Sequence, residues 1–161
     1  MLEVLTPLSK CIRVTRPIDP ETFVAAPGFF AWVDTDGSLK DQVTDTVKPI
    51  NKLVMTSATD NIYESHDIES GRITTLEGPQ GLRFKVDNTV YTGSPAQGDD
   101  LIVCVDEGKE GMITNAAGVL LSGTYEVIGR VEQADLTAGW IIVEMVASKT
   151  VAVTATTTPA P

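Results

Sequence analysis

The sequence predicts an all-β protein: a small β-barrel or β-sandwich body, in one or two β-subdomains, with an extended N-terminal arm and a flexible C-terminal tail. Three observations carry this reading. Short runs of β-branched and aromatic residues recur between Gly, Asp and Pro turns along the 161 residues. Leu82, Phe84 and Val86 alternate with Arg83, Lys85 and Asp87, a period of two that puts apolar side chains on one sheet face and charges on the other. No stretch supports a helix longer than two turns, and the best case, residues 41–48, is weakened by its Thr and Val.

Residues 1–20 form the arm. Val4, Leu5, Leu8, Ile12 and Val14 are apolar, while Pro7, Pro17 and Pro20 forbid a long helix. The segment is therefore extended and must bury its side chains on its own domain or on a neighbour. Lys10, Arg13 and Arg16 against Glu3 leave residues 1–16 at +2 and the rest of the chain at −12, out of a net −10. A basic arm on an acidic body points to docking on something acidic, such as a second copy. An N-terminal strand with solvated charges explains the same residues.

Residues 21–97 read as a β-rich subdomain or insertion. Residues 29–33, Phe-Phe-Ala-Trp-Val, make a strand that enters the tight turn Asp34-Thr35-Asp36-Gly37. Residues 53–56 make another. Residues 71–77 and 82–87 face each other across Gly78-Pro79-Gln80-Gly81 and read as a hairpin. Residues 98–147 form a C-terminal small β-domain. Its first strand, residues 101–105, is apolar throughout, as for a strand covered on both faces. A Gly-rich turn leads to residues 112–114, then residues 125–132 and 140–146 close the unit. Residues 148–161, rich in Thr, Ala and Pro, hold too little apolar surface to offset chain entropy and read as a mobile tail.

Composition excludes several functions. The acidic balance, 22 carboxylates against 12 basic groups, leaves no basic footprint for nucleic acid. No apolar run reaches the roughly 20 residues of a membrane span, and the first five residues lack a signal-peptide start, so the expectation is a soluble product of a cytoplasm. Cys11 and Cys104 sit in no CxxC or Cys/His cluster and read as free thiols, with no zinc site. His66, within Tyr63-Glu64-Ser65-His66-Asp67, has catalytic residue types beside it, but adjacent residues do not face one another and no GxSxG elbow is present. From Asp34, a calcium loop needs Gly sixth and Glu twelfth; Gly37 falls fourth and Asp45 twelfth, so a hairpin turn is the simpler account. Trp32 and Trp140 lie in apolar strands and read as core rather than sugar platforms. No catalytic, cofactor-binding or metal constellation emerges, and the chain reads as a non-enzyme without cofactors.

Gly98-Asp99-Asp100-Leu101-Ile102-Val103, then Ile128-Gly129-Arg130-Val131-Glu132, then Gly139-Trp140-Ile141-Ile142-Val143-Glu144-Met145 resemble the small β-domain of tailed-phage head decoration, or capsid cement, proteins. In that family a Gly-Asp and apolar strand precedes an Ile-Gly-Arg-Val-like strand and a final glycine-led apolar strand. The likeness spans residues 98–147, about 50 of 161; residues 21–97 are longer than compact members need.

The resemblance implies a virion protein, made in the bacterial host cytoplasm, that binds the capsid exterior as a homo-oligomer, trimer or dimer. Its partner would be the major capsid protein, whose neighbouring subunits it clamps, with no nucleic acid or membrane partner. The expected capsid or oligomer contacts are Leu5, Leu8, Lys10, Ile12, Arg13 and Arg16, because an extended arm can add a strand to a neighbour's sheet edge. Removing residues 1–16 is expected to leave a folded body. The rival readings are a phage tail, baseplate or fibre-associated β-domain that binds host glycan, and an oligosaccharide- or nucleotide-binding barrel with enzymatic activity.

Overall fold

A computed structural model describes residues 2–7, 10–19, 21–23, 28–41, 52–55, 71–77 and 81–154. They form strands β1 (Leu2–Val4), β2 (Ile12–Pro17), β3 (Phe30–Val33), β4 (Leu39–Lys40), β5 (Lys52–Met55), β6 (Arg72–Glu77), β7 (Arg83–Asp87), β8 (Asp100–Val103), β9 (Ile113–Asn115), β10 (Gly123–Asp135) and β11 (Trp140–Val153), with a 3-10 turn at Ala116–Gly118. One sheet has the order β1-β7-β11-β10-β8-β9 and the other β2-β6-β5-β3-β4. The all-β expectation is met.

β1 and β2, close in sequence, belong to different sheets. Leu2 pairs with Val86 and Val4 with Phe84 in one sheet; Ile12 pairs with Glu77 and Pro17 with Arg72 in the other. The two registers differ by a single residue, so β1 and β2 run antiparallel to β7 and β6, one pair in each sheet. The chain bends at Thr6, just after β1. Bonds from Leu5 N (2.8 Å) and Thr6 N (3.2 Å) to Arg83 O hold the bend. Thr6 Oγ1 also accepts from Arg83 N at 2.8 Å.

This geometry corrects three expectations. The N-terminal segment is extended, but its strands are spent on its own sheets, and removing it would strip a strand from an edge of each. The segments around Gly78-Pro79-Gln80-Gly81 do not pair as a hairpin: β6 and β7 lie in different sheets, and each pairs instead with its part of the N-terminal ribbon. Nor does a boundary fall at residue 97, since β1 and β7 belong to the same sheet as β8–β11.

The six-stranded sheet curls at the β10–β11 pair. Val127 faces Lys149, but Gly129 faces Met145, so three residues of β11 oppose one of β10. Such irregularities increase local twist. Gly129 lies at this point because a Cβ there would come within 2.7 Å of Val143 Cγ1 and 2.8 Å of Glu144 O. Beyond the curl β11 continues to Val153, which is buried opposite Gly123. The expected tail therefore does not begin at residue 148, and residues 155–161 lie outside the described residues.

The main core lies between the sheets. Phe30, Leu53 and Leu76 from the five-stranded sheet join Leu82, Phe84, Val86, Ile102, Ile141 and Val143 in one cluster. The Phe30 and Phe84 rings sit 6.2 Å apart, tilted at 49°. Residues 101–105 are all buried, as a strand covered on both faces requires. A second cluster, with Ile18, Phe23, Ala31, Leu39, Val54 and Ile73, covers the other face of the five-stranded sheet. Asp34-Thr35-Asp36-Gly37 makes the expected β3–β4 turn: Gly37 has φ +84° and donates to Asp34 O at 2.9 Å. The turn's acids spend oxygens on it, Asp34 Oδ1 accepting from Thr35 N and Asp36 Oδ1 from Ser38 N and Oγ.

Candidate interaction surface

The expected contact residues divide in the fold. Leu5 is half-buried at the ribbon's bend, and Leu8 lies outside the described residues. Lys10 is exposed, its N donating to Pro7 O at 2.8 Å. Ile12 is 58% exposed and Arg13 is also exposed, both on β2. Arg16 is different. Its Nε and Nη2 donate to Glu77 Oε1 at 3.0 and 2.6 Å, while Lys52 Nζ reaches Glu77 Oε2 at 3.1 Å. Burial raises the Glu77 carboxyl pKa, but hydrogen bonds from Arg16 and Lys52 outweigh it and hold it below its usual range. The charge of Arg16 is matched inside the chain, leaving Lys10, Ile12 and Arg13 as the group facing outward.

β2 is an edge strand, and among the described residues no strand pairs with its outer side. The bond from Ile18 N to Gly71 O, at 2.8 Å, sets the phase of the β2–β6 ladder. Ile12, Val14 and Arg16 bond inward to β6, so Arg13 and Thr15 turn main-chain N–H and C=O groups outward. Pro17 takes the next outward position, where a missing N–H costs no ladder bond.

A second exposed apolar point was missed by the sequence reading. Leu120 is 73% and Leu121 51% exposed, just after the 3-10 turn. The buried Asp106 carboxylate accepts from Leu120 N at 3.0 and 3.2 Å, and Tyr125 OH donates to Leu121 O at 2.8 Å. Both leucines are thus fixed outward. Residues 111–125 are the longest run without a charged side chain, and that gap was the available signal.

For chemistry the surface offers little. Among the described residues no group of three or more His, Cys, Asp or Glu is placed to hold a metal ion, and no helix is long and apolar enough to cross a membrane. Cys104 is fully buried, which pushes its thiol up to about 11, and Cys11 is also raised by burial; both are free. His66 lies outside the described residues. Trp32 and Trp140, expected in the core, are both only half-buried: Trp32 packs against the margin of the main core, and Trp140 lies on the opposite face of β11 from the buried Ile141 and Val143. Comparison with protein-family models, curated proteins and solved structures gives no match to this chain.

Proposed function

We propose that the protein is a non-enzymatic structural component of a tailed-phage virion, which binds the outside of the assembled head as a homo-oligomer and clamps neighbouring major capsid subunits. The observation that carries this reading is the outer edge of β2. It presents unpaired main-chain groups at Arg13 and Thr15, flanked by exposed Lys10, Ile12 and Arg13, on a chain of net charge −10. The motif likeness in residues 98–147 and the outward Leu120–Leu121 pair support it. An edge of this kind can take an acidic extended segment of a neighbour by strand addition. Burying an aliphatic side chain contributes about 1.5–3 kcal/mol, and an exposed ion pair about 0.2–1 kcal/mol. Ile12 therefore supplies affinity, while Lys10 and Arg13 set register and salt sensitivity. Repetition on a lattice multiplies weak single contacts.

The test replaces Lys10, Ile12 and Arg13 together by Ala. All three are exposed, so the melting temperature should stay at the wild-type value. Co-sedimentation with expanded heads of the corresponding phage should fall at least tenfold in affinity, about 1.4 kcal/mol. Wild-type occupancy by the triple variant removes β2 as the clamp. Binding of the wild-type protein to host cells but not to heads favours the tail or fibre reading instead.

A further inference from the structure

We infer that Leu120 and Leu121 of one copy dock on Ile12 of the next, so that copies of this chain join head to tail through two unlike patches. The inference rests on the proposed function for the homo-oligomer and adds which surfaces meet in it. Among the described residues the exposed large apolar side chains are Ile12, Leu120, Leu121 and Leu136. A single exposed leucine is ordinary. What distinguishes these is how each is held and the charge around it.

The leucine patch is fixed and acidic. Asp106 and Tyr125, both buried, hold its main chain: the Asp106 carboxylate accepts from Leu120 N, and Tyr125 OH donates to Leu121 O. The two side chains are therefore placed before a partner arrives, and less conformational freedom is lost on docking than in a loose loop. The same bonds occupy Leu120 N and Leu121 O, so the patch offers side chains and not a strand edge. Lys109 N donates to Asp106 O at 3.0 Å, closing a turn that sets exposed Glu107 one residue from the carboxylate holding Leu120. Residues 106–125 carry Asp106, Glu107 and Glu110 against Lys109 alone.

Ile12 has the opposite setting. Residues 4–18 contain no acid, and the exposed Lys10 and Arg13 flank Ile12. The carboxylate across the ladder from it, Glu77, is shared by Arg16 and Lys52, two cations on one anion. The surroundings of Ile12 are therefore positive. Alternation along β2 puts Ile12 on one face with Val14 and Arg16. A copy seated on that face leaves the outward main-chain groups of Arg13 and Thr15 available to a capsid subunit.

Charge decides which patch meets which. Ile12 on Ile12 would bring Lys10 and Arg13 towards their own copies, and the leucine patch on itself would do the same for Glu107. Leu136 follows Asp135 and is a single side chain. The unlike pairing places cations against carboxylates while Ile12, Leu120 and Leu121 all leave water.

Sedimentation velocity of the full chain, without heads, tests the contact from about 10 µM to about 1 mM, a range that brackets a weak interface. The wild type should associate with a dissociation constant on the order of 0.1 mM. Ile12→Asp, and Leu120→Ser with Leu121→Ser, should each weaken association at least about tenfold, at wild-type melting temperatures because all three side chains are exposed. An equimolar mixture of the two variants should form a one-to-one complex and nothing larger, since each supplies the patch the other lacks. If either variant melts lower, Arg13→Glu and Glu107→Arg take their place: each alone should weaken association, and both in one chain should restore it. A wild type that stays monomeric, or variants that mixing or charge exchange does not rescue, overturns the contact. So does a leucine variant that loses head binding with self-association unchanged, which would seat the leucines on a capsid subunit. A monomeric wild type that still co-sediments with heads leaves the capsid reading standing, whereas copies that join as described but never bind heads remove that reading and keep this contact.

Discussion

Gly129→Ala isolates the contact on which the curl of the six-stranded sheet depends. A methyl group added at Gly129 would lie 2.7 Å from Val143 Cγ1 and 2.8 Å from Glu144 O. An ordinary contact begins near 3.4 Å, so both neighbours must move by several tenths of an ångström. Val143 is fully buried, and Glu144 O belongs to the backbone of the long β11 strand, so neither yields by a simple rotamer change. Gly129 does not have a positive φ, which leaves overpacking as the cause of strain. Overpacking of this kind costs about 1–3 kcal/mol. At roughly 2–4 °C per kcal/mol for a chain of this length, the melting temperature should fall by about 2–12 °C. Gly37→Ala is the comparison. Nothing lies within 4 Å of its added Cβ, so its cost is the left-handed backbone alone, roughly 1–2 kcal/mol. Thermal melting by circular dichroism measures both, and amide shifts locate the disturbance. For Gly129→Ala the shifts should spread along β10 and β11, whereas for Gly37→Ala they should stay in the β3–β4 turn. A Gly129→Ala protein that melts at the wild-type temperature, with unshifted β11 amides, would refute the close-approach argument.

The Glu77 carboxylate gives a pH dependence with a definite sign. Its folded pKa is depressed, so its contribution is complete above the unfolded value of about 4.3 and is lost as pH falls through the folded value. Urea midpoints measured from pH 6 down to pH 3 should drop less steeply in Glu77→Gln than in the wild type; parallel profiles would remove Glu77 as a source of acid sensitivity. The two thiols should separate under alkylation. Cys104 is buried with its thiol pushed up to about 11, so it should react only on unfolding, whereas the half-buried Cys11 should react slowly in the native state. Mass spectrometry should find one label in buffer and two in guanidinium, and two native labels would contradict the burial of Cys104.

The sequence carried the strands better than their partners. Alternation at Leu82, Phe84 and Val86 is a local signal, because each buried side chain sits two residues from the next, and all three are buried in the fold. The Asp34–Gly37 turn was legible for the same reason: its hydrogen bonds close within five residues. The turn at residues 78–81 misled because glycine and proline mark a change of direction without stating what the next strand meets. Here β6 and β7 lie in different sheets, and their partners come from residues some fifty-five to eighty-four positions earlier. The end of β11 was misread because small Thr and Ala side chains look like a tail, yet residues 149–153 are held in register opposite residues 123–127 by main-chain bonds that no side-chain pattern records. Of the candidate contacts, Ile12 and Arg13 were legible as an apolar and a basic residue in an extended segment. That Arg16 is spent on Glu77 depends on a pairing across 61 positions.

The pairing of residues 2–17 with residues 72–87 also changes what the basic segment can do. A free arm could cross to any neighbour, whereas a strand fixed at an edge can offer only its outer side. That side carries its own restraint. Pro17 withholds one donor, and two β2 edges brought together antiparallel about Val14 would set Arg13 diagonally across from its own copy. Strand addition between two identical β2 edges is therefore disfavoured by like charge. The same edge meeting an acidic segment gains at both Lys10 and Arg13, and Ile12 loses its exposure to water. On a chain whose remaining residues carry −12, acidic surface is the commonest kind a neighbouring copy presents. The edge chemistry thus favours a heterologous contact, β2 of one copy on a different, acidic surface, over an isologous β2–β2 dimer. A heterologous contact of this kind closes into a ring where the rotation between copies closes, and runs on as an open array where it does not.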